Sequence, residues 1–488
     1  MPKSEDTHRP LILAVCCTGL LLAGLDVTAV NLALPAIGRD LSAPIAGLGW
    51  TIDGYTLAIA GVLLVAGSAA ERLGRRRALL AALTLFAAGS LACSLAPGLP
   101  WLVVFRIAQG LGAGLLTPAA LSILAVTFTE SRERAHAIGL WGATFGVSLA
   151  LGPPIGGLLV TAVGWRAVFW INVPLAVAAL ALTAAYVPES HPQHGATRGI
   201  PLLNVLLAAL LILATYAIIE GIPHVNRTAA TDGPLLLATV ATAVLAGREH
   251  RGDRSLLDPR FAAATLCAVV AFLALSGFLF LNTLYLQDAR GYSALRAGLL
   301  TVPMAAATAI ASPVSGRLTA RLGSRTPLIA AGMLIAVAAL MLLRAASGTP
   351  LPYLVTAYLL YGSGFGLTNA PITHIAVSGG PLPQQATSTA IASAARQIGN
   401  SLGVAVIGSI VTAHRTAHGA LATADQPGWW TLAAGGALIA ALGILTAHGE
   451  GEAEAEEPPD AAPTPVQREM CDAVQSMSGQ STLDCQMG

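Results

Sequence analysis

Gly67-Ser-Ala-Ala-Glu-Arg-Leu-Gly-Arg-Arg-Arg77 recurs late in the chain as Gly316-Arg-Leu-Thr-Ala-Arg-Leu-Gly-Ser-Arg-Thr326. Gly67, Arg72, Leu73, Gly74 and Arg76 coincide with Gly316, Arg321, Leu322, Gly323 and Arg325. A second echo follows in the same order and at nearly the same offset. Gly110, Gly112, Gly114 and Leu115 answer to Gly362, Gly364, Gly366 and Leu367. Two echoes at nearly one spacing read as an internal repeat. In each copy the basic stretch is a short turn between apolar runs, so the repeated unit is a set of apolar helices joined by polar loops.

The surrounding composition says where those helices reside. The chain has 488 residues, of which 55% are hydrophobic and 10% charged. Soluble domains carry roughly a quarter charged residues, which cover their wet surface. Mean hydropathy is +0.70, and the charges cluster between long apolar stretches. That segregation is the grammar of a polytopic membrane protein. At ~20 mainly apolar residues per span, fourteen segments qualify, near 11–36, 48–68, 78–96, 101–125, 136–162, 166–187, 201–220, 234–247, 262–286, 297–316, 327–344, 351–374, 386–412 and 428–447.

The repeat sets spans 2 and 3 against 10 and 11, and span 4 against 12. Parallel halves start on one side only if the insert between them holds an even number of spans. The expected fold is therefore all-α and membrane-integral, with fourteen transmembrane helices in two pseudo-symmetric six-helix bundles plus an inserted helix pair. The expected divisions are a cytoplasmic N-terminus (1–10), a first bundle (11–187), the inserted spans 7 and 8 (188–254), a second bundle (255–447) and a disordered acidic tail (448–488). Paired halves with a site between them near the midplane are transporter architecture.

Orientation follows from charge. With the N-terminus inside, seventeen basic residues fall on the inner side and seven on the outer, and Arg106 and Arg396 lie within spans; together these are all 26 Lys and Arg. The bias is positive-inside, which places the chain in the cell (plasma or inner) membrane with both termini cytoplasmic. Net charge is +1, so no nucleic-acid partner is expected. The expected partners are the bilayer, a small-molecule substrate and protons. The sequence assigns no oligomeric state. Six cysteines have no metal-ligand spacing, and no metal or cofactor is expected.

Six stretches then carry a specific resemblance. Gly67–Arg77 resembles motif A of the major facilitator superfamily, and Arg106-Ile-Ala-Gln-Gly-Leu-Gly-Ala-Gly114 its span-4 motif B. Gly146-Val-Ser-Leu-Ala-Leu-Gly-Pro-Pro-Ile-Gly-Gly157 resembles motif C, the antiporter signature. Leu25-Asp-Val-Thr-Ala-Val-Asn-Leu-Ala-Leu-Pro35, Trp165-Arg-Ala-Val-Phe-Trp-Ile-Asn-Val-Pro174 and Arg396-Gln-Ile-Gly-Asn-Ser-Leu-Gly403 are similar to the fourteen-span drug:proton antiporters of that superfamily. The resemblance covers roughly residues 10–447. It implies export of a small amphipathic compound, such as an antibiotic, by alternating access. Glu71 stands where motif A usually has Asp, and span 13 holds no carboxylate.

Proton coupling needs a carboxylate whose protonation changes between states. Asp26 lies in an apolar span, where a charge costs ~2.5–3.5 kcal/mol. Arg106 is its candidate partner, either in a switchable pair or in a static buried one. Asp53 is a second proton-coupling candidate, or else an interface residue beside Trp50. Glu220 and Asp288 fall at outer span ends, where solvated roles fit. Gly67, Glu71, Arg72, Gly74, Arg75 and Arg76 form a candidate cytoplasmic gate, implied by the resemblance, while also anchoring topology. Gly146, Gly152, Pro153, Gly156 and Gly157 suggest a kink in span 5 or tight static packing. Asn31, Tyr55, Gln109, Phe145, Asn282, Arg396 and Gln397 are candidates for lining a substrate cavity.

Other classes fit less well. A symporter importing a metabolite is the main alternative, and a membrane scaffold or sensor has no use for paired halves with buried charge. No nucleophile elbow, zinc-type His-Glu pattern or nucleotide-binding glycine loop appears, so an enzyme is not expected.

Overall fold

A computed structural model describes residues 5–189, 259–378, 382–418 and 426–445. The expected spans 7 and 8, Glu220 and the acidic tail lie outside the described residues. Among the described residues the chain is built of α-helices: α1 (Glu5–Asp40), α2 (Ile45–Leu73), α3 (Arg75–Ser94), α4 (Leu99–Thr127), α5 (Ser131–Ala162), α6 (Arg166–Trp170), α7 (Asn172–Tyr186), α8 (Pro259–Leu284), α9 (Ala294–Leu322), α10 (Arg325–Leu343), α11 (Leu351–Ser378), α12 (Leu382–His418) and α13 (Gln426–Leu445). A π-helical turn, Tyr285–Ala289, closes α8. Nine described segments are long and apolar enough to cross a membrane.

The expected span 166–187 is one apolar span, Arg166–Tyr186, in which the single turn residue Ile171 separates α6 from α7. Pro174 lacks an N–H, and its ring crowds the carbonyl four residues back. That carbonyl belongs to Trp170, the last residue of α6, and α7 begins at Asn172. Pro153 and Pro154 do not divide α5, which runs unbroken past both.

The repeat is visible in packing as well as in sequence. Gly74 (φ 84°) joins α2 to α3, and its counterpart Gly323 (φ 73°) joins α9 to α10. Both take left-handed backbone that side chains with a Cβ avoid. A methyl group on Gly112 would lie 2.9 Å from Phe86 Cα of α3, and one on Gly364 would lie 2.8 Å from the Ala331 carbonyl of α10. Gly114 meets Ile59 of α2, and Gly366 meets Thr308 of α9. So α4 packs on α2 and α3 as α11 packs on α9 and α10. The same small-residue logic seats α5 on α1, with Gly156 at Ala29, and α12 on α8, with Gly399 at Phe272 and Leu273. Close approach is how helices gain contact when lipid offers no hydrophobic drive between them.

Gly112→Val therefore forces a branched side chain into the backbone of α3, and Gly364→Val does the same in the other half. Both should lower stability by about 1–3 kcal/mol or more. Gly316→Val, at a position with nothing within 4 Å of an added methyl, should stay within about 0.5 kcal/mol. Thermal unfolding of the purified protein in detergent checks all three, and equal behaviour of Gly112→Val and Gly316→Val would contradict the packing described.

The two halves meet through α5 against α9 and α2 against α12. The basic end of the bundle carries the Gly74 and Gly323 turns. At the opposite end the halves are in tight contact. A methyl on Gly157 would lie 2.8 Å from Leu295 Cα, and one on Gly298 2.7 Å from the Pro153 carbonyl carbon. Leu295 N donates to Thr161 Oγ1 (3.2 Å) and Gln287 Nε2 to the Leu32 carbonyl (2.9 Å). The π-helical turn delivers Gln287 to that bond. Toward the basic end, Gly139, Gly142 and Gly146 of α5 and Gly316 of α9 face open space, and Ile310 of α9 is 71% exposed.

Candidate functional site

Asp26 and Arg106 come together, as their isolation in apolar helices requires. Arg106 Nη1 donates to Asp26 Oδ2 at 2.5 Å, and the two side chains are 1% and 0% exposed. Three further groups complete the site. Gln109 Nε2 donates to Asp26 Oδ1 (2.8 Å), and Asn172 Nδ2 donates to the same oxygen (3.1 Å). Arg106 Nη1 also reaches Gln109 Oε1 (2.7 Å), and its Nε donates to the Thr51 carbonyl (2.8 Å). The guanidinium lies over the Tyr55 ring, 3.9 Å from its centroid, with Phe169 at 5.7 Å.

Each connection has a local cause. Gln109 follows Arg106 by three residues, so both project from one face of α4. Gly89 of α3 lets Gln109 approach, since a methyl there would sit 2.7 Å from Gln109 Cα. The start of α7, set by Pro174, places Asn172, which also donates to Ser90 Oγ (3.1 Å). Removing one partner of the buried Asp26–Arg106 pair strands the other, at about 3–5 kcal/mol.

Asp53 has a different setting. It is buried, 1% exposed, and its Oδ1 has no hydrogen-bond partner. No ion pair involves it among the described residues. A methyl on Gly49 would lie 3.6 Å from Asp53 Oδ2 and 3.5 Å from Val404 Cγ1, so the carboxyl sits beside α12. One turn along, the hydroxyls of Thr56 and Ser401 hydrogen-bond across the same contact. Opposite faces of α2 thus serve different partners. Thr51 and Tyr55 hold Arg106, while Asp53 and Thr56 face the other half.

At the basic end, Arg76 and Arg77 lie 4.0 and 3.7 Å from Glu189, Arg76 also donates to the Ala184 carbonyl, and Arg9 pairs with Glu133 at 3.3 Å. These ties stay within the first half. Arg75 begins α3 beside Gly74. Gly67 lies in α2, and the side chains of Glu71 and Arg72 are outside the described residues.

The cavity candidates are dispersed. Asn31 Nδ2 donates to its own helix at the Val27 carbonyl (2.9 Å). Asn282 accepts from Tyr358 Oη (2.5 Å) inside an aromatic core where Phe278 stacks on Tyr361 (centroids 4.1 Å). Arg396 Nη2 donates to Thr373 Oγ1 (2.8 Å), and Gln397 Oε1 accepts from Asn400 (3.4 Å). Tyr55 and Gln109 belong to the Arg106 network, and the Phe145 side chain is outside the described residues. A void of about 10 Å³, room for about one water, lies between the halves. Thr28, Pro153, Leu279, Met304, Thr308 and Phe365 are among its lining residues. Gly152 and Gly156 pack α5 on α1, Gly157 packs it on α9, and Gly146 meets nothing within 4 Å.

Sequence reasoning paired Asp26 with Arg106 but missed Asn172, Thr51 and the part of Gln109. For Gln109 a signal existed in its three-residue spacing from Arg106. Asn172 comes from 146 positions away, which no local pattern encodes.

Known proteins resemble this chain in sequence and in fold. The sequence model of the Major Facilitator Superfamily matches residues 16–404. The chain is 37% identical to the multidrug resistance protein Stp of Mycobacterium tuberculosis, over 83% of this chain and 77% of that one. It is 35% identical to a methylenomycin A resistance protein of Streptomyces coelicolor, covering 85% and 89%. It is also 35% identical to the tetracenomycin C resistance and export protein of Streptomyces glaucescens, covering 82% and 76%. Among solved structures, a bacterial homologue of the lysosomal transporter Spinster, in an inward-facing and unoccupied conformation, superposes with TM-score 0.66 at 18% identity, covering 91% and 98%. A D-xylose–proton symporter gives 0.65 at 17% identity, covering 89% and 97%. At those identities the solved structures show the fold alone.

Proposed function

This chain belongs to the Major Facilitator Superfamily, and from that premise we propose that it exports a small amphipathic compound, an antibiotic or similar toxicant, against its gradient by proton antiport. Efflux is supported by the relatives, whose names describe drug resistance and export. The observation that carries the coupling is the pair of buried carboxyls on adjacent helices. Asp26 is saturated by a cation and two amides, whereas Asp53 has no cation and an orphaned oxygen. An uncompensated charge is costly away from water, so the neutral acid is the form of Asp53 that fits the closed α2–α12 contact.

The cycle then runs as follows. Ionised Asp53 favours parting of α2 from α12, which admits outside water, and protonation from that side lets the contact close. A proton that reaches Asp26 discharges its bond to Arg106. Released guanidinium reorganises against Thr51 and Tyr55, on the opposite face of the helix that bears Asp53. One helix thereby links both titrating groups. The cycle takes the basic end as the inside and the two bundles (11–187 and 255–447), with spans 7 and 8 as an accessory pair, as the rocking bodies; the tight α5–α9 contact supports a state sealed outside. Gly67, Glu71, Arg72, Gly74, Arg75 and Arg76 form the inner gate of this cycle. Gly146 and Gly152 through Gly157 form the sliding surface of α5.

Asp53→Asn tests this directly. Each coupled proton supplies about 1.4 kcal/mol per unit of pH gradient. Losing one site of two should lower steady-state accumulation in everted vesicles about tenfold at a gradient of one unit, with substrate exchange retained. Unchanged accumulation would remove Asp53 from the mechanism.

A further inference from the structure

The intramembrane charges do not all balance. Among the described residues Asp26, Asp53 and Arg106 are buried and Arg396 is half-buried; Asp26 and Arg106 neutralise each other. Asp53 has a neutral form available to it. Arg396 does not, because a guanidinium stays charged in proteins. Among the described residues it forms no ion pair. Its polar contact is the Thr373 hydroxyl at 2.8 Å, its guanidinium lies 5.9 Å from the Phe272 ring, and its Nε is buried with no partner. A charge in an apolar helix calls for a partner or a function.

The surroundings of Arg396 suit a ligand with a charged head and an apolar body. Phe272 of α8 stands edge-on to Phe365 of α11, with centroids 5.4 Å apart. Phe365 lines the void between the halves, together with Leu279 and Met304. Two packed core rings therefore link the cation to the central seam. α12, which carries Arg396, also faces α2 across the seam at Ser401 and Val404. A guanidinium binds oxyanions through paired N–H donors, and among the described residues no carboxylate pairs with it.

We propose that Arg396 and Thr373 form an oxyanion subsite, so that the exported compound is an amphiphile bearing a carboxylate or equivalent oxyanion. This rests on the export reading and narrows it to a substrate class. The anionic head sits at Arg396, beside the Phe272 ring.

The test uses full-length protein in nanodiscs of neutral lipid. It is titrated with 2-naphthoate, 2-naphthamide and 2-naphthylmethylammonium, followed by naphthalene fluorescence. Naphthoate should bind about tenfold or more tightly than the amide, as a charged hydrogen-bond partner does, and more tightly than the ammonium. Arg396→Gln should erase that preference and Arg396→Lys should keep most of it. The wild-type comparison stands even where Arg396→Gln fails to fold. Equal binding of the three compounds, a preference that survives Arg396→Gln, or no binding of naphthoate to the wild type would each overturn the subsite. Proton-driven export is read separately in everted vesicles. Anion selectivity without export would sink the efflux reading and leave the subsite in place.

Discussion

Asp26→Asn abolishes uphill transport: in the proposed cycle the Asp53 proton is coupled only through release of Arg106 from Asp26, so both protons uncouple together and substrate in everted vesicles should equilibrate without accumulating, whatever pH gradient is imposed. The reason lies in the bond count at one carboxylate. Asp26 receives Arg106, Gln109 and Asn172, and an amide in its place still accepts one of these donors but never carries the charge that a proton cancels. The same change leaves Arg106 as an uncompensated buried cation, at a cost of up to about 3–5 kcal/mol. Loss of transport alone would therefore not separate a proton role from a merely structural one. The double variant Asp26→Asn with Arg106→Gln does. It removes both charges, and replacing a buried pair together is often close to neutral. Stability should return toward wild type while accumulation stays at zero. Recovery of accumulation along with stability would make the pair a strut, and normal uphill transport by Asp26→Asn alone would end its role in coupling.

The fold was legible because its determinants are local and repeated. Gly74 and Gly323 mark equivalent turns, and both adopt positive φ. The Gly110 and Gly362 stretches mark equivalent helix contacts. Span ends agree to within a few residues because apolar length is itself the signal. The site was half legible. Two charges stranded in apolar helices had to find each other, but the neutral groups that finish the network carry no such obligation. Asn31, Asn282 and Tyr55 are lining candidates in one dimension; in the structure Asn31 bonds its own helix, Asn282 accepts from Tyr358 and the Tyr55 ring lies against Arg106. The water-sized void between the halves is lined by threonines, leucines, a proline, an alanine, a methionine and a phenylalanine, indistinguishable in sequence from core.

Leucine at Gly157 or Gly298 should hold the outer side open and stop turnover. A methyl at these positions meets Leu295 Cα at 2.8 Å or the Pro153 carbonyl carbon at 2.7 Å. Both obstacles are backbone, which cannot swing aside as a side-chain tip would. Both glycines face the opposite half, so each six-helix bundle keeps its internal packing and the protein should still fold. The cost of overpacking, about 1–3 kcal/mol, falls only on the state in which α5 and α9 are in contact. Since 1.4 kcal/mol is a factor of ten in population, the outward-open form should gain by roughly tenfold to a hundredfold. Leu279, which lines the void, reports on this. In a background without the native cysteines, Leu279→Cys should react with an impermeant maleimide added outside about ten times faster once Gly157→Leu or Gly298→Leu is present. Gly348→Leu, at an exposed turn before α11 where an added methyl meets nothing within 4 Å, should change neither labelling nor export. Faster labelling from the inside instead would reverse the assigned orientation. Unaltered labelling together with normal export would mean that the α5–α9 contact is not the seal that must close for the substrate to leave.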